Sequence, residues 1–235
     1  MGEYLFETYA AFAGAFFAYI FLRFAETMGK LYERRTKHYE AIVRLERMAS
    51  RLLDDIGTDL YEIDQIVSIH DASTKAGQIT VTGNRPKPLE YDNTLLYDLH
   101  NLDLINEIFS YYRQIERFNS DIIGLAAIYD FFKDAYVQDQ THRDNYLRNF
   151  ALYVSRLKEV RPHLQQLLDK TKRLSAISIL RGQRDRPGLN RLISIFIRRR
   201  NEKSFESDLP ATLAVVESDM ANISAKSRAE IASIK

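Results

Sequence analysis

Apolar residues in this chain recur at alternating three- and four-residue steps over stretches longer than an ordinary helix. Ile42, Leu45, Ala49, Leu52 and Ile56 keep the rhythm, Asp59 occupies the next step, and Ile63 and Ile66 resume it. Such a seam places its side chains on one stripe of a helix and requires a second helical stripe to cover it. The spacing predicts a helix over about 27–69, with Glu40 and Arg44 adding an i,i+4 pair on its exposed face. Only nine glycines and five prolines occur in 235 residues. An all-β chain would need turn residues far more often.

The stretch from Asp71 to Asn93 collects Ser73, Thr74, Gly77, Gly83, Asn84, Pro86 and Pro88, and reads as a loop with a short β-prone run at Gln78–Thr82. A second helix is predicted from Asp92 or Asn93, with Leu95, Leu99, Leu102, Ile105, Phe109, Tyr112, Ile115, Phe118, Ile122 and Leu125 on one face and a kink near Gly124. A third follows the cap candidate Thr141 and carries Leu147, Phe150, Val154, Leu157, Leu164, Leu167, Thr171 and Leu174. Pro162 is expected to kink it. A basic turn at Arg181–Gly188 should end it, and a weaker helix should start at Pro210 with Asp208 as cap. The predicted fold class is all-α: one N-terminal transmembrane helix followed by an antiparallel, coiled-coil-like bundle of long helices. The expected division is an anchor over 1–26, a helical bundle over 27–203 with a loop at about 71–92, and a weakly helical tail over 204–235.

The anchor expectation rests on Tyr9–Leu22, fourteen residues with no charged side chain. Their flanks extend the apolar stretch to roughly 22 residues, Tyr4–Ala25, or about 33 Å of helix. Its large side chains lie on all sides, unlike those of a surface helix. A cleavable signal would need a basic start and a small-residue cleavage site; Gly2 lacks the Ser or Thr at position 6 that a myristoylation motif requires. Lys30, Arg34, Arg35 and Lys37 follow the stretch and no basic residue precedes it. The positive-inside rule then predicts a single-pass protein of the inner membrane, N-terminus outside and body in the cytoplasm. Ala10, Gly14 and Ala18 repeat at four-residue spacing and form a candidate packing face between such helices.

Charge is segregated along the chain. Residues 54–140 carry 16 acidic and 6 basic side chains, residues 141–235 carry 19 basic and 10 acidic. The halves are expected to dock on each other or to meet an anionic partner. The basic run around Arg191, Arg198, Arg199 and Arg200, with Leu192, Ile193, Ile195, Phe196 and Ile197 between, is a candidate contact for anionic lipid or a partner. It has no accompanying nucleic-acid reading motif, so nucleic acid is not the expected partner.

No chemistry-bearing pattern stands out. Cysteine is absent, which removes thiol nucleophiles and Cys-based metal sites. His38, His70, His100, His142 and His163 never pair at i,i+3 or i,i+4, so no helical metal site is predicted. Phosphate loops and nucleophile elbows are missing as well. The sequence therefore predicts no catalytic residues, cofactor, metal or small-molecule substrate. It predicts a non-enzymatic, membrane-anchored scaffold that oligomerises or docks a cytoplasmic protein. The alternative is an oligomeric channel or membrane-perturbing effector with a cytoplasmic sensor bundle.

Overall fold

A computed structural model describes the backbone of residues 2–76, 86–138, 143–185 and 198–233, and the side chains of 12–72, 86–130, 147–185 and 205–222. The described residues form five helices and no strand: α1 (Gly2–Ala76), α2 (Leu95–Asp98), α3 (Leu102–Gln138), α4 (Arg143–Asp185) and α5 (Arg198–Ser233).

The long helices pack as a bundle around α4, which contacts α1, α3 and α5. The direction of each pair follows from its contacts. A Cβ at Gly182 would meet Ile42 and Glu46, while Arg161 pairs with Asp64 and Lys158 with Asp71, so α1 and α4 are antiparallel. Arg173 pairs with Glu107 and His163 with Asp121, so α3 also runs against α4. The three ion pairs made by Lys158, Arg161 and Arg173 each set a basic residue of the C-terminal half against a carboxylate of the N-terminal 130 residues. The two oppositely charged halves of the chain do dock. The pairs are solvent-exposed and set register more than they add stability.

The core contains the predicted seams. Ile42, Leu45, Ala49, Leu52, Ile56, Ile63 and Ile66 of α1 are buried, as are Phe150, Val154, Leu157, Leu164, Leu167 and Leu174 of α4. Near its C-terminal end α4 is enclosed on every side. Leu174, Ser175, Ala176, Ile177 and Ser178 are consecutive buried residues, and three of them are small enough to let neighbouring helices come close. The buried hydroxyls are satisfied locally: Ser178 donates to the Ser175 carbonyl at 2.8 Å and Thr171 to the Leu167 carbonyl at 2.7 Å.

Extended residues 86–93 and α2 fill the space between α1 and α3. Pro86, Leu89, Leu95 and Leu99 are buried there. The segment is pinned from both sides. The Tyr112 hydroxyl donates to the Asp92 carbonyl at 2.7 Å, and Arg51 donates to the Glu90 carbonyl at 3.0 Å.

Several expectations are corrected. The helix predicted at 27–69 is part of one helix from Gly2 to Ala76, continuous with the stretch read as an anchor. The second helix is interrupted: Leu99 is extended, and Asn101 restarts the chain by accepting the Leu104 N–H on its side chain at 2.9 Å and the Ile105 N–H on its carbonyl at 3.0 Å. The restart rotates the register, so Leu102 is 74% exposed and Phe109 lies on the surface. α5 begins at Arg198, so Pro210 is internal and Asp208 pairs with Arg184 at 3.4 Å instead of capping. The β-prone run at 78–82, the cap candidate Thr141 and residues 186–197 lie outside the described residues.

The transmembrane expectation also changes. Among the described residues, no helix is long and apolar enough to cross a membrane. The described apolar run, Phe12–Leu22, rises about 16 Å, roughly half of a hydrocarbon core. Gly14, Tyr19 and the alanines add little transfer free energy, and Arg23 and Glu26 close the run. The side chains of residues 1–11, which carry the other half of the expected span, lie outside the described residues.

Candidate functional site: the projecting N-terminal helix

α1 is much longer than the bundle it joins. Among its described side chains, which begin at Phe12, the first buried one is Ala41, so 29 described residues precede the core, roughly 44 Å of helix. Within this projection Phe12, Phe16, Phe17, Tyr19, Ile20, Phe21, Leu22 and Phe24 are all about half or more exposed. Scattered exposed apolar residues are normal on a folded protein, but eight in thirteen positions make a continuous patch. Such a patch is the mark of a binding surface. Covering these side chains would be worth on the order of 10 kcal/mol.

Several polar groups in the projection find partners along the helix itself. Thr27 and Thr36 donate to the carbonyls of Arg23 and Tyr32 at 2.8 and 3.0 Å. Arg23 lies over the Tyr19 ring, 5.6 Å from its centroid, and pairs with Glu26 at 3.3 Å. Lys37 pairs with Glu33 at 2.8 Å; this contact lowers the Glu33 carboxyl and raises the Lys37 ammonium from their ordinary values. Lys30, Arg34 and Arg35 are exposed and place three more cations beyond the aromatic stretch.

The projection meets the bundle at His38. Its ring stacks on His100, with centroids 5.4 Å apart and planes 14° apart, its Nδ1 accepts the His100 backbone N–H at 3.3 Å, and its Nε2 lies 3.6 Å from Asp185. Three segments of chain converge there, fixing the projection to the bundle end.

The predicted site residues distribute unevenly. Gly14 and Ala18 are exposed on the projection, and a Cβ at Gly14 would meet nothing within 4 Å. Ala10 is helical, with its side chain outside the description. Arg198, Arg199 and Arg200 open α5, but their side chains and the whole of Arg191 lie outside the described residues.

One crevice was missed. Arg51, Asp55, Thr58, Asp59, Glu62, Lys87, Pro88, Leu89 and Glu90 line about 380 Å³ between α1 and the extended segment. Asp59, the polar defect in the α1 seam, is buried at its edge. Burial and the nearby Glu62 raise its carboxyl to about 7, and a hydrogen bond from the Lys87 backbone opposes the rise. Its place in an apolar seam was the available signal. Among the described residues no group of His, Cys, Asp or Glu side chains is arranged to hold a metal ion.

No protein-family model, characterised protein or solved structure matches the chain. The surface and crevice above are therefore interpreted from their own chemistry.

Proposed function

We propose that the protein is a non-enzymatic, membrane-anchored helical scaffold. Its aromatic N-terminal helix lodges in a bilayer, and its bundle is presented to a protein partner on the cytoplasmic face. The observation that supports this is the unbroken exposure from Phe12 to Phe24 on a helix that extends well clear of the core. Such a surface is costly in water and favourable in acyl chains. Tyr19 and Arg23 suit the interfacial level, where an amphipathic side chain keeps its polar tip wet. Lys30, Arg34 and Arg35 lie about 9–16 Å further along the axis from Phe24, close to the headgroups.

Flotation of the full chain on phosphatidylcholine vesicles, with and without phosphatidylserine, tests the reading. The chain should rise with the vesicles, and F12S/F16S/I20S, altered on one face of the projection, should remain below. Folded chain that stays at the bottom with both vesicle types would refute membrane anchoring.

A further inference from the structure

The α1 seam does not stop where the bundle does. Counting back from Ile42 by the same alternating steps gives His38, Arg35, Leu31, Met28, Phe24, Phe21, Phe17 and Gly14. From Ile42 onward this stripe is buried and forms part of the packing of α1 against α4. At His38 it carries the contacts to His100 and Asp185, and at Arg35 it holds an exposed cation. Beyond Arg35 it becomes apolar again, with Met28 half-buried and the other described side chains exposed. Phe17, Phe21 and Phe24 are 69%, 73% and 61% exposed, and Leu31 is 48% exposed.

The opposite side of the projection is built as a solvent face. Arg23, Lys30 and Lys37 recur every seven residues, and so do Glu26, Glu33 and Glu40. Arg23–Glu26 and Glu33–Lys37 are ion pairs along that side. In heptad terms these are outer positions. Along Phe17–Leu31 those flanking the seam are Ala18, Ile20, Ala25, Thr27 and Tyr32, which carry no charge; the next flanking position is Arg34, beside Arg35 at the end of the stretch. A neighbour in register would thus meet an apolar stripe with neutral edges and no like-charge repulsion.

The geometry points to a second copy of this chain as the occupant. The α1 helices of two copies pair in parallel along Phe17, Phe21, Phe24, Met28 and Leu31, continuing between chains the seam that α4 covers within one. Arg35 ends the shared stretch, because a buried cation facing its own copy is unfavourable. Parallel pairing also keeps the two bundles at the same end, as one membrane surface requires. The inference deepens the scaffold reading by naming one partner. It uses residues largely distinct from Phe12, Phe16 and Ile20, the lipid-test positions.

The absence of cysteine permits a direct test on the full chain in detergent micelles. Single substitutions F24C and L31C on the seam should form disulfide-linked dimers under mild oxidation. K30C and E33C on the outer side should not. A same-residue disulfide at both seam positions requires parallel pairing in register. M28E/L31E should weaken association at least roughly tenfold in light-scattering titrations. It should leave bundle melting unchanged, because both positions lie outside the core. Equal cross-linking at all four positions, or a wild-type mass of one chain at every concentration, would overturn the inference. M28E/L31E should still float with vesicles. A chain that dimerises through the seam without floating would refute the anchor and leave the pairing intact.

Discussion

The side-chain amide of Asn119 and the main chain of Leu89 exchange two hydrogen bonds. The Leu89 N–H donates to Oδ1 at 2.7 Å, and Nδ2 donates to the Leu89 carbonyl at 2.8 Å. One side chain on α3 thus acts as a strand partner for a segment that has no strand beside it. Replacing it with alanine leaves two half-buried backbone groups unpaired. Asn119→Ala should cost about 2–4 kcal/mol, read as a lowered urea midpoint at unchanged slope. Asn119→Asp should also destabilise, since its carboxylate would face the Leu89 carbonyl without a donor.

Asp59 makes stability depend on pH. Its carboxyl titrates near 7 in the fold and near 3.9 in an unfolded chain, so the folded form holds the proton more tightly. The stabilisation this provides is full below about pH 4, declines as pH rises, and is gone above about 7. Asp59→Asn cannot ionise and should be the more stable protein at pH 8, by on the order of 3 kcal/mol. The two proteins should converge towards pH 4. Denaturant melts at the two pH values check this, and a difference that does not change with pH would contradict it.

Tyr111 and Thr171 join α3 to α4 through a buried hydroxyl–hydroxyl hydrogen bond, and burial pushes the Tyr111 phenol up from its ordinary value. Thr171→Val keeps the shape but leaves the Tyr111 hydroxyl without that partner, at a cost of about 1–3 kcal/mol. The double change with Tyr111→Phe should recover part of the loss, because neither hydroxyl is then stranded. Thermal unfolding of the four proteins gives the coupling.

Leu102 and Leu104 separate the two possible registers of α3. Leu102 is exposed and Leu104 is 2% exposed. Leu102→Glu should shift stability by less than about 0.5 kcal/mol. Leu104→Glu should cost several kcal/mol by burying an unpaired charge. A larger loss at Leu102 than at Leu104 would show that the helix continues through Leu99 without a restart.

The seams were legible because buried helical stripes repeat. Ile56 and Leu157, found buried, were assigned by spacing alone. The break before α3 was not legible, since Leu95, Leu99 and Leu102 keep the spacing across it and only the Asn101 cap reveals the restart. Leu89 and Asn119 are thirty residues apart, and no local pattern links them. In the projection the sequence showed an apolar stretch but concealed its stripe. Where every side is apolar, periodicity vanishes, and only the Arg23–Glu26 and Glu33–Lys37 pairs mark which side faces water.

The central place of α4 also sets a timetable for synthesis. α1 and α3 both rest on a helix that follows them in the chain. A ribosome that has finished Gln138 has produced two long apolar seams whose shared cover is still to come. At usual elongation speeds α4 arrives roughly 2–10 s later. During that interval the nascent chain exposes the surfaces that later make its core. Productive folding is therefore deferred, and early chain release or slow translation before Asp185 is the step at which aggregation should be most severe.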